Sequence, residues 1–409
     1  MTATDPRRVV EAVWRIESAR IVAALARLVR DVGLAEELAQ DTLVVALEQW
    51  PADGVPEHPG SWLMATAKHR AVDALRRQSR YRRKLDEIGR ATPDADDPDL
   101  AAELDDYVGD DLLRLIFTTC HPVLSTESRV ALTLRLLGGL TTDEIARAYL
   151  VPEATVGQRI TRAKRTLAEK KIAIELPPPA EAAQRLASVL EVVYLVFNEG
   201  YAATAGDDWM RPALCEEALR LGRVLASLAP REPEVHGLIA LMELQASRIP
   251  ARTGPDGAPI LLQDQDRRRW DWLLVRRGLD ALARAEGTYG PYVLQASIAA
   301  CHARAARPQD TDWERIAALY EVLAHVSPSP VVDLNRAVAV ANAHGAERGL
   351  SIVDALVLPN YALLPAVRGD LLARLGRTAE ARHEFERAAA MTRNARERSL
   401  FEARAAALT

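Results

Sequence analysis

Apolar residues recur at helical spacing along almost the whole chain. Val10, Val13, Trp14, Ile21, Leu25 and Leu28 mark one face of a first helix over residues 7–31, which Gly33 is expected to stop. A second helix is predicted in LAEELAQDTLVVALEQW, opened by acids that suit the helix dipole and ended before Pro51. PADGVPEHPGS carries three prolines and two glycines in eleven residues and reads as a loop. Ser61 then serves as N-cap to WLMATAKHRAVDALRRQSRYRRK. Leu63, Ala67, Ala71, Ala74 and Leu75 form its packing stripe, and Lys68, Arg70, Arg76, Arg77 and Arg80 fall largely on other faces.

GRATPDADDPDLAAELDDYVGDD is acidic, contains proline and has little periodicity, so it reads as a linker. DDLLRLIFTTCHPVLSTESRVALTLRLLGG then predicts two short helices split at His121-Pro122, the second with apolar Val130, Leu132, Leu134 and Leu137. The strongest pattern follows. Thr141-Thr142-Asp143-Glu144 opens a helix whose Ile145, Ala146 and Tyr149 face inward, Leu150-Val151-Pro152 makes a corner, and a second helix begins. Val156, Ile160, Ala163 and Leu167, spaced by four, three and four, give that helix one apolar seam. Thr155, Gln158, Arg159, Arg162 and Arg165 are left outside it, with Lys164 in the same basic run. A recognition helix needs this division, because long donors must reach base edges and phosphates while the seam packs.

Leu176-Pro177-Pro178-Pro179 is a hard break, and beyond it lie some 230 residues of helical pattern. Weak repeats run near the 34-residue period of tetratricopeptide units. Gly369, Ala381, Phe385 and Ala388 take the small and aromatic positions of the clearest one. Ile316, Tyr320, Leu323 and Pro328 repeat its tail, as do Ala218, Leu225 and Pro230, with Gly222 where an aromatic is expected. The fold class is therefore all-α, with stacked helical hairpins at the C-terminal end. In VYLVFNEGYAAT, Asn198, Glu199, Gly200 and Tyr201 follow an apolar helix. They read either as a helix end with Gly200 in left-handed geometry or as a polar cluster gripping the repeats or the N-terminal half. Arg267, Arg268 and Arg269 read as a solvated face.

Composition narrows the class. The net charge of −5 argues against nucleic-acid binding, but its distribution reverses that. Residues 68–84 hold eight Lys/Arg and one acid, and residues 159–171 hold six and one. Such basic stretches suit phosphate contact. No apolar run reaches the ~18 residues of a membrane span. The amphipathic N-terminus carries no secretion signal, and the three scattered cysteines fit a reducing cytoplasm. Cys120-His121 lacks two further ligands at metal-site spacing, and no phosphate loop or nucleophile–base pair stands out. The residues thus point to a DNA-binding protein that is not an enzyme, with no cofactor and no metal.

AEELAQDTLVVALEQW followed by PGSWLMATAKHRAVDALRRQSR resembles region 2 of the extracytoplasmic-function (ECF) sigma factors of bacterial RNA polymerase. Gly139-Leu140-Thr141, Glu144-Ile145-Ala146, Pro152, Thr155-Val156 and Arg159 resemble region 4 of the same family. That resemblance implies that the segment around Glu36, Gln40, Asp41 and Leu47 docks on core RNA polymerase. It implies that the one around Trp62, Lys68, His69, Arg70, Asp73, Arg76, Arg77 and Arg80 faces the −10 promoter element, with residues 51–61 as the pocket for a flipped base. Thr155, Gln158, Arg159, Arg162, Lys164 and Arg165 would then read −35 promoter DNA. The long tail and the FNEGY segment resemble the ECF subgroup with a C-terminal tetratricopeptide-like extension. The implied division is region 2 over 7–86, an acidic linker over 87–107, region 4 over 108–173 and the extension over 180–409. The extension would bind a protein partner or contact the sigma domains. The rival readings are a helix-turn-helix regulator that works without polymerase and a repeat scaffold that binds peptides.

Overall fold

The computed structural model describes residues 6–88, 108–149, 151–203, 209–255, 257–285, 287–359 and 361–408. Among these residues the chain is all-α, with one isolated antiparallel bridge between Thr253 and Pro259 and no strand. It divides into two compact units, Met1–Val192 and Val193–Thr409. From residue 89 onward the expected acidic linker lies outside the described residues, as does Leu150 of the corner.

In the first unit α1 (Pro6–Val29), α2 (Val32–Asp53) and α3 (Pro59–Ile88) pack around Val10, Ile21, Leu25, Ala39, Trp50, Leu63 and Ala67, all essentially inaccessible. Three expected boundaries move. The first break falls at Arg30, which takes a positive φ of 54°, and not at Gly33, which lies inside α2. Asp31 caps α2 by accepting from Leu34 N–H at 2.8 Å, so the cap decides the start. Helix α2 also runs through Pro51 to Asp53. A proline so near the end costs only one bond in a fraying turn. Gly54 then ends the helix at φ 91°, donating its N–H to the Trp50 carbonyl at 3.1 Å. Helix α3 starts at Pro59, not after Ser61, because proline at the first helical position lacks only an N–H that would be orphaned anyway.

Helices α4 (Val108–Thr119), α5 (Thr126–Leu136), α6 (Thr142–Tyr149) and α7 (Glu153–Glu169) follow. A reciprocal cap opens α6: Thr141 N–H donates to Glu144 Oε2 at 2.7 Å and Glu144 N–H to Thr141 Oγ1 at 3.1 Å. Gly139 supplies the positive φ of 67° that turns the chain into it. Val156, Ile160, Ala163 and Leu167 are all buried, as the seam predicts.

Helix α8 (Pro179–Tyr201) begins in the first unit and ends in the second. In the first unit Arg129 of α5 donates to Ser188 Oγ at 2.5 Å and Glu191 Oε2 at 2.9 Å, while Arg185 donates to the Phe117 carbonyl at 2.9 Å. The second unit continues with α9 (Pro212–Leu228), α10 (Pro233–Ala246), α11 (Trp272–Ala283), α12 (Pro291–Arg304), α13 (Trp313–Val326) and α14 (Pro330–His344). It closes with α15 (Ala346–Asp354), α16 (Leu363–Arg374), α17 (Thr378–Met391) and α18 (Ala395–Ala406). From α9 onward each helix packs on the next, which is the stacking of helical hairpins. At α16–α17 a Cβ on Gly369 would stand 3.1 Å from the Ala381 carbonyl and 3.3 Å from the Phe385 ring, so the small residue does receive the large one. Gly222 stands where α9 meets Met242 of α10.

Gly200 is not a left-handed helix end. It lies within α8 and has no positive φ. A Cβ there would meet Cys215 N at 2.7 Å and Leu214 Cβ at 2.8 Å, so glycine is needed for the close approach of α9. Gly200→Ala should gain ~1 kcal/mol in helix propensity. The clash is with backbone, which cannot swing away, and overpacking of this kind costs ~1–3 kcal/mol or more. We expect a net loss of stability in the second unit, read as a lower denaturant midpoint; an unchanged or higher midpoint would contradict the close-approach account.

Candidate polymerase and promoter interface

Helix α7 carries the expected division of labour. Its seam packs on α5 and α6. Gln158, Arg162 and Arg165 are exposed, and Thr155 and Arg159 are half-buried. Arg165 is loosely paired to Glu169 at 3.4 Å, both largely in solvent. The helix therefore presents a row of long donors on its open side. Lys164 departs from that row. It is half-buried, turns toward α2 and pairs with Glu36.

On α3, His69, Arg76, Arg77 and Arg80 are exposed, and Trp62, Lys68 and Arg70 are half-buried. Trp62 stands edge-on to the buried Trp50 at 5.6 Å between centroids, which fixes its ring as a wall at the head of the basic helix. A cleft of about 950 Å³ opens along the first half of α3, lined among others by His58, Ser61, Met64, Lys68, His69 and Arg76 but not by Trp62. Residues 58–61 of the loop line this cleft, whose polar side chains include the acids Glu17 and Asp73 as well as Arg20, His58, Lys68, His69 and Arg76.

On α2, Asp41 is exposed and reaches back to Arg70 of α3 at 3.1 Å. Gln40 and Leu47 are half-buried, and Glu36 is 6% exposed. These residues do not face open solvent together. Glu36, Gln40 and Leu47 line a second cleft, of about 740 Å³, with Arg135, Gly139, Thr141 and Glu144 from around α5 and α6 on its other side. Across it Arg135 Nε donates to Glu36 Oε1 at 2.7 Å. Nearby, Arg27 of α1 pairs at 2.9 Å with Asp111 of α4, which is buried. The structure therefore brings together Glu36, expected to face polymerase, and Lys164, expected to face DNA. It adds Arg135, Arg27 and Asp111, which no periodicity singles out.

Cys120 and His121 have local roles. The Cys120 thiol is buried 3.4 Å from Thr133 Oγ1, burial pushing its pKa up, and His121 Nδ1 accepts from Val123 N–H at 3.0 Å. In the second unit Glu199 pairs with Arg211, and Tyr201 carries Arg252 on its ring face at 3.6 Å. Both of these partners, Arg211 and Arg252, lie within the second unit. Arg267 is not a solvated face. It is 8% exposed and donates to the His302 and Ala305 carbonyls at 2.5 and 2.6 Å. Only Arg268 and Arg269 stay in solvent. Among the described residues no group of three or more His, Cys, Asp or Glu is placed to hold a metal, and no helix is long and apolar enough to cross a membrane.

Comparison with known proteins matches this geometry. Residues 15–81 match the sigma-70 region 2 family and residues 114–167 the sigma-70 region 4 family. Residues 185–286 match a family of unknown function (DUF6596). The uncharacterized protein R00370 of Rhizobium meliloti is 45% identical over 379 residues, which cover 91% of this chain and 90% of that protein. The ECF RNA polymerase sigma factor SigL of Mycobacterium tuberculosis is 30% identical over 144 residues, 34% of this chain and 76% of SigL. The probable ECF RNA polymerase sigma factor SigI of the same organism is 28% identical over 183 residues, 44% of this chain and 60% of SigI. No solved structure matches. With a helix-turn-helix whose donors lie outward, a basic helix beside a cleft, and both sigma regions matched in order, the chain belongs to the ECF family of RNA polymerase sigma factors, and it carries a long C-terminal helical extension.

Proposed function

We propose that this chain is an alternative sigma factor, the subunit that directs core RNA polymerase to a set of promoters. The observation that carries the reading is the presence, in order on one chain, of a matched region 2 with its cleft and basic helix and a matched region 4 with an outward row of donors. Thr155, Gln158, Arg159, Arg162 and Arg165 read −35 DNA. Trp62, Lys68, His69, Arg70, Arg76, Arg77 and Arg80 meet the −10 element, and Glu36, Gln40, Asp41 and Leu47 meet core polymerase. Sigma factors carry out no covalent step. Flipping a base from the duplex costs a few kcal/mol, which binding to polymerase and to the displaced strand supplies. The work is done in the cytoplasm, where polymerase and promoter are.

In the free chain Glu36 is engaged by Arg135 and Lys164, so regions 2 and 4 must part before α2 meets polymerase. The extension regulates this subunit or holds a partner. Run-off transcription with purified core polymerase over a pool of genomic promoter fragments tests the reading, using the full chain and a chain ended at residue 175. Promoter-directed transcripts are expected from the full chain, and a changed yield from the shortened one. No transcript from any fragment would sink the sigma reading in favour of a regulator that works without polymerase. Equal yields would remove the regulatory role of the extension.

A further inference from the structure

Two helix ends in the first unit take a conformation that disfavours the residues found there. Among the described residues only Arg30 and Lys171 have a positive φ without being glycine, at 54° and 50°. Arg30 follows α1, its N–H bonded to the Ala26 carbonyl at 2.9 Å. Lys171 lies just past α7, its N–H bonded to the Ala168 carbonyl at 3.0 Å. Glycine takes this left-handed position freely, whereas a side chain with a Cβ crowds the following carbonyl. A cation near a helix C-terminus suits the dipole. That need is already met without a positive φ by Arg27 in the last turn of α1 and by Lys170, at φ −80°, after α7.

Far apart in sequence, these two residues line one cleft. It measures about 1070 Å³ and is walled by the α1–α2 corner and α3 on the region 2 side, and by the end of α7 and residues 171–175 on the region 4 side. Arg27, Arg30, Lys164 and Lys171 line it, with Asp31 and Glu175 as its acids. Arg27 is paired with Asp111 and Lys164 with Glu36, and Asp31 caps α2. Arg30 and Lys171 are exposed. Apolar side chains complete the lining: Val32 and Leu167 are buried, and Leu75 and Ile172 are half-buried. Apolar lining with a few charged groups, at a boundary between domains, is the usual form of a small-molecule site. Residues held in sparsely populated backbone regions cluster at ligand clamps. Arginine and lysine meet oxyanions through charge-assisted hydrogen bonds.

We propose that this cleft binds a small organic oxyanion, a phosphate or carboxylate on an apolar or aromatic body. Its charge meets Arg30 and Lys171, and its body lies against Leu75 and Ile172. Both regions supply walls, so an occupant is held by both only while they are together. By mass action it then favours the closed arrangement over the one that meets polymerase. The site itself does not depend on the sigma reading; its effect on polymerase rests on that reading.

The experiment uses the full chain. Adenosine monophosphate, guanosine monophosphate and decanoate are titrated calorimetrically, against inorganic phosphate and chloride at matched ionic strength. Saturable binding of at least one organic probe is expected, at least tenfold tighter than inorganic phosphate. A nucleotide over decanoate assigns the ligand as a phosphate ester, and the reverse as a carboxylate. Changing Arg30→Gly and Lys171→Gly together should weaken binding at least tenfold. It should also raise the melting temperature without probe, because glycine relaxes both positive-φ positions; cations that served only the helix ends would lower it. Arg30→Gln with Lys171→Gln keeps the strain and removes the charge, and should weaken binding as much. Lys170→Gln, at a cation of the same helix end that does not line the cleft, should leave binding unchanged. A saturating probe should also weaken the affinity for core polymerase severalfold. If no organic probe binds more tightly than inorganic phosphate, or if binding survives the glutamine pair, the site is overturned. If a probe binds and polymerase affinity does not fall, the favouring of the closed arrangement is overturned.

Discussion

Replacing Arg159 and Arg162 together by alanine is expected to cut transcription from a cognate promoter by about 100-fold while leaving the affinity for core polymerase unchanged. Both side chains lie off the seam of α7, Arg162 exposed and Arg159 half-buried, so the loss is in DNA recognition and not in folding. Surface changes of this kind usually stay within ~0.5 kcal/mol of stability. A good bidentate hydrogen-bond pair to a base is worth ~1–3 kcal/mol. Removing two such pairs weakens recognition by roughly 30-fold or more, since 1.4 kcal/mol is tenfold. The salt dependence separates base reading from charge. If an arginine holds only phosphate, its removal weakens all sequences alike and lowers the salt slope by about 0.9. If it reads a base edge, the effect is confined to the promoter that carries that base. Transcription at the wild-type level from the double variant would remove α7 from −35 recognition.

The sequence exposes α7 because its information is local. Four seam residues at helical spacing leave every donor on the opposite side, and neither fact needs a distant partner. The helix ends are less legible because competing local rules meet there. Gly33 and Pro51 are both breakers, yet a capping aspartate at 31 and a glycine at 54 decide the ends of α2. Arg267–Arg269 shows a different failure. Three consecutive arginines suggest one solvated face, but a turn of three residues sends its members to three sides. Arg267 therefore goes inward to the His302 carbonyl while Arg268 stays out with Asp266. Gly200 is legible as special but for the wrong cause, since its constraint comes from Cys215 on the next helix. Least legible is the contact of Glu36 with Arg135, 99 residues away. Spacing says which face a residue takes, and nothing about which of many charges will meet it.

That contact sets the other large effect. Arg135→Glu is expected to open the first unit and raise its affinity for core polymerase. Glu36 has a side-chain exposure of 9% and Arg135 of 21%, so their pair is largely out of water. Breaking a buried pair by removing one partner costs ~3–5 kcal/mol. Lys164 still holds the second oxygen of Glu36, which puts the effect near the lower end, and reversal adds repulsion. About 3 kcal/mol moves a closed-to-open equilibrium by roughly 100-fold. The three cysteines among the described residues are buried, so new ones at the exposed positions Glu48 and Ala154 can be labelled for energy transfer. Transfer should fall in Arg135→Glu, and polymerase should bind more tightly. Glu36→Gln makes the necessary contrast. It removes the anion that both cations hold and so also opens the unit, but it removes the residue proposed to meet polymerase. Its transfer should fall while its polymerase affinity does not rise. If Arg135→Glu leaves transfer unchanged, this ion pair is not what holds regions 2 and 4 together. If both variants open and both gain affinity, Glu36 serves closure alone and has no part in docking.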